Sequence, residues 1–210
     1  MRAYCCRCVM RRLTAFERPD LTRAEALVYI AQFGNGEPES AVLVALRGFV
    51  GSKARTRRPN QFGIYDDVVA LVTPTGCETF TANTDPSRSE PGVAELCPGR
   101  WLYRIGKHGG ASGKSKPYTA LVQAAEVDVF RPDGVPGPAA PPIGERGKSI
   151  GDGVWRGMLQ INIHRGGKAS TNSLGCQTIY PSQWSAFMKR VQLEMGRFRQ
   201  AVIPYYLCDS

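Results

Sequence analysis

The stretch Ile161–Pro181 constrains the fold of this chain more than any other segment. It continues a run in which apolar residues take every second position, and such alternation predicts a strand with one buried face. The alternating residues are Leu159, Ile161 and Ile163. His164 ends this predicted strand, a polar loop follows, and a second short strand is predicted at 178–180, just after Cys176. We therefore expect His164 and Cys176, which are twelve positions apart, to come within hydrogen-bond reach at neighbouring strand ends.

A histidine beside a cysteine is the arrangement that a cysteine nucleophile needs. A free thiol with a pKa of about 8.5 is mostly protonated near neutral pH, and the thiolate is the nucleophile. A neighbouring imidazole can take the thiol proton and later deliver it to a leaving amine. Gly175 permits a sharp turn before Cys176, and the N–H groups of both residues can point at an oxyanion, at about 3–4 kcal/mol per donor. The alternative is a structural cysteine and a hydrogen-bonded histidine, because free cysteines commonly behave as core residues.

The pattern Ile-His-Arg-Gly followed by Ser-Leu-Gly-Cys-Gln, at 163–166 and 173–177, resembles the catalytic signature of L,D-transpeptidase (YkuD-like) domains. The resemblance implies that Cys176 is the nucleophile and His164 the base. It also implies that the backbone carbonyl of Arg165 orients the histidine and that Gly175 lies at the oxyanion hole. Four further residues are expected to contact substrate: Gly166, Ser173, Gln177 and His108.

Three departures from the family pattern accompany this resemblance, which covers about residues 62–187. Leu174 stands where the family usually has a second histidine, Gln177 stands near the usual arginine, and the spacing from His164 to Cys176 is shorter than in most members. The layout is most similar to a branch encoded by phages and prophages, with some similarity to secreted antibacterial effectors.

The expected fold class is mainly β (α+β), an L,D-transpeptidase-like β-sandwich with a few packed helices. The chain has 23 glycines and 15 prolines, which is typical of a chain with many turns. We expect a helical N-terminal extension at 1–60 and the cysteine catalytic domain at 61–210.

Local patterns predict the individual elements. Thr22 and Glu25 form a capping-box signature, which predicts a helix to about residue 33, and Pro38 predicts a second helix through 41–46. A helix with one apolar face is predicted from about residue 181 to 198. A long surface loop rich in proline and glycine is predicted at 133–153. Strands are predicted at 68–73, 78–82, 101–105, 120–130 and 201–207.

Charge indicates the kind of partner. Lys and Arg total 27 against 18 Asp and Glu, a net charge of +9, which favours binding to polyanions. Basic residues cluster at 53–58 and at 107–116. From charge, nucleic acid and an anionic cell-envelope surface are both candidates, but no helix-turn-helix, zinc-finger or aromatic-basic RNA signature is present. The resemblance implies peptidoglycan stem peptides as substrate, so we expect these and the cell-envelope surface as partners rather than nucleic acid. The alternative from charge alone is a non-catalytic basic module of a virion or nucleoid.

Cysteine and histidine usage points away from a metal site. The chain has two histidines and seven cysteines, and Cys5, Cys6 and Cys8 are too closely spaced for an ordinary zinc knuckle. We expect no metal and no cofactor. Cys77 and Cys97 can pair across a loop, but a chain without a secretory signal favours reduced thiols.

The first twelve residues carry positive charge but lack an apolar run and a cleavage site, so no secretory signal is predicted. No apolar stretch of about 18 residues exists, so no membrane span is predicted. We expect synthesis in the bacterial cytoplasm and action at the periplasm or cell wall after release or injection. The resulting hypothesis is an endolysin- or effector-like peptidase acting through a Cys176 thioester. The alternative is an L,D-transpeptidase that forms cross-links or exchanges D-amino acids.

Overall fold

The structure is a computed structural model that describes residues 18–49, 60–88, 93–110, 116–131 and 146–209. Over these ranges the chain is mainly β, as predicted, with two helices and twelve strands. The helices are α1 (Arg23–Ala31) and α2 (Trp184–Arg197). The strands are β1 (Val42–Leu46), β2 (Asp67–Thr73), β3 (Gly76–Asn83), β4 (Glu95–Leu96), β5 (Gly99–His108), β6 (Tyr118–Gln123), β7 (Val127–Phe130), β8 (Arg146–Gly151), β9 (Val154–Met158), β10 (Ile163–Arg165), β11 (Gln177–Ile179) and β12 (Ile203–Cys208).

Eight strands close into a barrel, in the order β1-β12-β5-β6-β10-β11-β3-β2. The other four form a sheet in the order β4-β7-β9-β8, and its buried residues share one apolar core with the barrel and α2. The barrel is more closed than the predicted sandwich because β1 pairs with both β2 and β12. The first and last strands of the described chain therefore meet and remove two sheet edges.

The segment 41–46 was predicted as a helix, and this prediction is wrong, because residues 42–46 form β1. Leu43 and Ala45 belong to the main core, whereas Val42, Val44 and Leu46 belong to a second apolar cluster beneath α1. All five residues of β1 are buried. A strand buried on both faces shows no apolar-polar alternation, so the period of two is invisible in the sequence.

The capping box predicted for α1 is confirmed. The Glu25 N–H donates to Thr22 Oγ1 at 3.2 Å, and the Thr22 N–H donates to Glu25 Oε2 at 2.8 Å. α2 also agrees with its predicted apolar face, whose buried residues are Trp184, Phe187, Met188, Val191 and Met195. Neither helix in the described part of the chain has the length and apolar character needed to cross a membrane.

Two predictions along 120–153 need correction. The strand predicted at 120–130 is two strands, with β6 in the barrel and β7 in the smaller sheet. The end of the predicted loop is β8, which lies at the edge of the smaller sheet and pairs with β9 through backbone groups. This pairing does not depend on apolar side chains, so a segment of glycine, lysine and serine gave no strand signal.

The run of alternating apolar residues before His164 is buried as predicted, but it does not form one continuous strand. Leu159, Ile161 and Ile163 are buried, but β10 begins only at Ile163. The N–H groups of Leu159 and Ile161 donate to Gln123 Oε1 at 3.1 and 3.2 Å. One buried glutamine side chain therefore replaces the ladder hydrogen bonds, and Gln160 takes a left-handed conformation with φ of 59°.

Several predictions concern residues outside the described ranges. They are the cysteines at 5, 6 and 8, the basic cluster at 53–58, residues 50–59 of the predicted N-terminal extension, residues 111–115 of the basic cluster at 107–116, and residues 132–145 of the predicted long loop.

Candidate active site

The two predicted strand ends lie side by side. β10 and β11 are parallel neighbours, with Ile163 opposite Gln177 and His164 opposite Thr178. The N–H of Gln177 donates to the Asn162 carbonyl at 2.8 Å, which continues the pairing to the residue before each strand. Cys176 therefore lies beside Asn162, and His164 follows two residues further along the neighbouring strand.

His164 is held by its own strand. The residue is 5% exposed, and its Nδ1 lies 2.9 Å from the Arg165 carbonyl oxygen and 3.4 Å from the Tyr118 hydroxyl. A carbonyl oxygen only accepts, so Nδ1 carries the proton in the neutral imidazole. The lone pair is then on Nε2, which is the atom that can accept a proton.

The His164 imidazole is uncharged at neutral pH. Its pKa is lowered to about 4, chiefly by burial and also by the nearby His108, while the hydrogen bond with the Arg165 carbonyl opposes both effects. A general base must be unprotonated before it acts, so this environment supplies the required form over a wide pH range.

The Cys176 sulfur forms hydrogen bonds with backbone groups of the segment that precedes β10 along the chain. Its S–H donates to the Gln160 carbonyl at 3.4 Å, and it accepts the Asn162 N–H at 3.4 Å. Burial raises the pKa of this thiol to about 11, and the Asn162 N–H opposes the rise. Within the described part of the chain, no hydrogen bond joins the Cys176 sulfur to His164. In this conformation the pair is a thiol and a neutral imidazole, not an ion pair.

Acidity does not distinguish Cys176 from the other cysteines. Burial raises the pKa of Cys77 to about 11 and that of Cys208 to about 12, and it also raises the pKa of Cys97. All four of these thiols are unpaired, including Cys77 and Cys97. Cys176 is distinguished instead by its contacts with Gln160 and Asn162, which directly precede the strand that carries His164.

Gly175 sits in a conformation that only glycine tolerates well. Its φ is 139°, and a Cβ at this position would collide with the Ala94 carbonyl oxygen. Its N–H donates to Ser173 Oγ at 3.0 Å and therefore points into the loop rather than towards a substrate. The Cys176 N–H donates no hydrogen bond among the residues that the structure describes.

Ser173 and Gln177, two predicted substrate contacts, are buried at 2% and 0% exposure. Ser173 Oγ donates to the Cys176 carbonyl at 2.6 Å. Gln177 Nε2 donates to the Gly175 carbonyl at 3.1 Å, and Gln177 Oε1 accepts the Tyr205 hydroxyl at 2.9 Å. The structure therefore places both side chains behind the turn, where they support the position of Cys176.

A cleft of about 770 Å³ opens beside His164. Its rim carries the exposed cations Arg165 and Lys168, and the Arg165 guanidinium lies 5.6 Å from the centre of the Tyr118 ring. The predicted substrate residues Gly166 and His108 line the cleft, whereas Cys176 is not among its lining residues. The lining residues are His108, Tyr118, His164, Arg165, Gly166, Gly167, Lys168, Asn172, Pro181 and Ser182.

His108 comes from a different part of the barrel and meets His164 face to face. It is the last residue of β5. The two imidazole rings stack with centroids 4.1 Å apart and an interplanar angle of 11°. His108 Nδ1 also lies 3.2 Å from Asn162 Nδ2.

Three site residues were absent from the sequence predictions: Tyr118, Asn162 and Tyr65. Tyr118 has a raised pKa, chiefly because of burial, and its hydroxyl lies 3.4 Å from His164 Nδ1. Tyr65 donates its hydroxyl to the Gly167 carbonyl at 2.8 Å and fixes the loop after β10. The sequence did contain a signal for Asn162. The alternation that buries Leu159, Ile161 and Ile163 places Asn162 on the opposite, polar face of the run, which also carries His164. No local signal marks Tyr118 or Tyr65, which reach the site through tertiary pairing.

Comparisons of this chain with known protein families, with curated proteins and with solved structures find no match. Across the described ranges, no group of three or more His, Cys, Asp or Glu side chains is arranged to hold a metal ion. Function is therefore inferred from the geometry of the site and from the motif.

Proposed function

We propose that this protein is a cysteine peptidase that cleaves peptidoglycan stem peptides through a Cys176 thioester, on a catalytic fold of the L,D-transpeptidase kind. The observation that carries the proposal is the 2.9 Å contact between His164 Nδ1 and the Arg165 carbonyl, on the strand next to Cys176. This is the orienting contact that the motif resemblance implies, and it leaves Nε2 as the proton acceptor. The proposed place of action is the bacterial cell wall.

The proposed reaction has two steps. In the first, His164 Nε2 takes the thiol proton while Cys176 Sγ bonds to the carbonyl carbon of the peptide; the C–N bond then breaks and the imidazolium protonates the leaving amine. In the second, His164 takes a proton from water and the hydroxyl bonds to the thioester carbon; the C–S bond then breaks, the imidazolium returns the proton to the sulfur, and the released carboxylic acid loses its own proton to solvent. The Cys176 N–H is the backbone donor nearest to the developing oxyanion.

The thiol has to change partners before it reacts. Its hydrogen bonds to the Gln160 carbonyl and the Asn162 N–H hold it away from His164, and a rotation about the Cα–Cβ bond of Cys176 releases both. With thiol and imidazole pKa values of about 11 and about 4, proton transfer is unfavourable without substrate. Thiolate formation is therefore expected to accompany substrate binding rather than to precede it.

The charge of the cleft favours water over an amine as the acceptor. Arg165 and Lys168 are both exposed at its rim. They attract the carboxylates of a stem peptide and repel a protonated amine. Hydrolysis is therefore the proposed outcome, and transpeptidation is the competing one.

Digestion of purified sacculi tests the proposal. Wild-type protein is expected to release soluble muropeptides, and Cys176→Ala is expected to release none. The matched control is Cys97→Ala, because Cys97 is another half-buried free thiol, directly after β4 of the smaller sheet, and it should digest like the wild type. Full activity of Cys176→Ala would contradict the proposal. Mass spectrometry with excess D-amino acid separates the outcomes, since exchange products indicate transpeptidation and plain cleavage indicates hydrolysis.

A further inference from the structure

The chain has two histidines, and they stack on each other at the cleft. We propose that Asn162 holds His108 as the tautomer with its proton on Nε2, and that this N–H donates a hydrogen bond to the stem peptide bound in the cleft. The identity of the ligand rests on the proposed function. His108 is then a substrate-binding residue, and Asn162 is the positioning residue behind it.

The tautomer of His108 follows from the partners of Asn162. The Gln123 backbone N–H donates to Asn162 Oδ1 at 3.1 Å, which fixes the orientation of the amide. The other end of the amide, Nδ2, therefore faces His108 Nδ1 at 3.2 Å. An amide nitrogen only donates, so His108 Nδ1 is the acceptor and the proton of the neutral ring is on Nε2. Burial lowers the pKa of His108, which favours the neutral ring.

The two stacked rings thus carry opposite tautomers. His164 has its proton on Nδ1 and a lone pair on Nε2, because its Nδ1 faces the Arg165 carbonyl. His108 has a lone pair on Nδ1, which is already used, and an N–H on Nε2. The pair therefore places one proton acceptor, His164 Nε2, and one hydrogen-bond donor, the His108 Nε2–H, at the same wall of the cleft. A peptide backbone carries both N–H donors and carbonyl acceptors, so it can use both groups.

The cleft gains from such a donor because the turn at 173–177, beside the nucleophile, supplies few. The Gly175 N–H is taken by Ser173 Oγ, and the Gln177 side chain is bonded to the Gly175 carbonyl and to Tyr205. Leu174, which stands where the motif usually has a second histidine, is 63% exposed and has no polar atom in its side chain. A histidine from β5 therefore restores a second imidazole from a different part of the chain.

Asn162 connects this donor to the nucleophile. Its backbone N–H contacts the Cys176 sulfur at 3.4 Å, and its side chain contacts His108. One residue therefore positions both the thiol and the donor, and its side chain can be changed without removing the backbone contact to sulfur.

Nitrogen-15 NMR of the histidine rings tests the tautomers directly in the full chain. Only two rings contribute signals, and His108→Phe assigns them. We expect His108 to be protonated on Nε2 and His164 on Nδ1. In Asn162→Asp the carboxylate accepts instead of donating, so His108 is expected to move its proton to Nδ1. A wild-type His108 protonated on Nδ1 would overturn the inference.

Binding of a synthetic stem tetrapeptide tests the donor, and it is measured in the Cys176→Ala background so that no turnover is needed. His108→Phe keeps a flat ring against His164 but removes the N–H, and it is expected to weaken binding about 3- to 10-fold, the usual value of one hydrogen bond. His108→Gln carries an amide N–H at a similar reach and is expected to recover most of the affinity.

The outcomes separate this inference from the proposed function. If sacculi are cleaved in a Cys176-dependent way but His108→Phe binds the tetrapeptide as tightly as its parent, only the inference on His108 falls. If the wild type cleaves nothing while the tetrapeptide still binds with the predicted loss in His108→Phe, the peptidase reaction falls and the inference stands. Absence of tetrapeptide binding by the parent would overturn the inference.

Discussion

Two regions of this barrel bury ionisable groups, and they differ in whether those groups are paired with opposite charges. At one, Arg47 forms buried ion pairs with Asp85 at 3.0 Å and with Glu95 at 3.3 Å. At the other, His164 is buried and Cys176 is half-buried, and no opposite charge among the described residues pairs with either, so the imidazole and the thiol stay neutral. The difference indicates that the first region uses charge to hold the barrel together, whereas the second leaves its two groups uncharged, which is the state from which the proposed proton transfer starts.

The Arg47 cluster is densely bonded. Burial alone would lower the pKa of its guanidinium, but the carboxylates of Asp85, Glu95 and Asp209 raise it. Arg47 Nη2 also donates to the carbonyls of Thr84 at 3.3 Å and Leu96 at 2.7 Å. Because Arg47 follows β1 and its partners lie on β4, after β3 and after β12, one side chain links the barrel to the smaller sheet.

The largest stability effect is expected at Arg47. Arg47→Met leaves buried carboxylates without their counter-charge, and we expect the free energy of unfolding to fall by about 3–5 kcal/mol. Urea unfolding followed by circular dichroism measures the change. The control is Arg156→Met, which breaks an exposed pair with Asp128 and should leave the midpoint near that of the wild type. Equal losses in the two variants would remove the distinction between a structural charge cluster and a surface pair.

The site is held by backbone geometry rather than by charge, and Gly175→Ala tests this. The new Cβ would meet the Ala94 carbonyl at a positive φ, so we expect a loss of about 1–3 kcal/mol and a displaced Cys176. Gly196→Ala in α2 is the matched control, because a Cβ there meets nothing within 4 Å and alanine favours a helix, with an expected gain of about 0.5–1 kcal/mol. Unchanged stability in Gly175→Ala would show that the turn adapts freely.

The two regions are expected to respond to pH in opposite directions. The pKa of His164 is lowered to about 4, so its stabilising contribution is present above about pH 6.5 and is lost as pH falls towards 4. Asp66 belongs to the first region because the charge of Asp85 acts on it; its pKa is raised to about 6, chiefly by burial, so its contribution is present below about pH 4 and is lost as pH rises through 6. Each contribution is about 1–3 kcal/mol.

Measuring the free energy of unfolding of two variants from pH 4 to 7 separates these two opposite pH dependences. Relative to the wild type, His164→Gln should lose less stability on acidification, and Asp66→Asn should lose less as pH rises. If both variants changed the slope in the same direction, the contrast between the two regions would be wrong.

The smallest effect is expected at Leu174, which occupies the position of the missing motif histidine. Its side chain is 63% exposed, so Leu174→Ala should change the free energy of unfolding by less than about 0.5 kcal/mol. Sacculus digestion by this variant should also match the wild type, because the proposed second imidazole comes from His108. A large loss of either quantity would show that the loop position itself contributes.

Local patterns in the sequence predicted the elements whose signals are local. The capping box at Thr22 marks the start of α1, and the helical spacing of apolar residues marks α2. The strand at 42–46 was missed because both of its faces are buried. β8 was missed because backbone pairing at a sheet edge requires no particular side chains.

The sequence by itself determined that a histidine and a cysteine lie at two short strands joined by a polar loop, because alternation and turn chemistry act over a few residues. Only the tertiary structure decided that His108 stacks on His164, that Asn162 contacts both His108 and the thiol, and that the pair rests uncharged. Those outcomes depend on which strands pair around the barrel and on how deeply they bury each group, and neither is encoded in any short stretch of the chain.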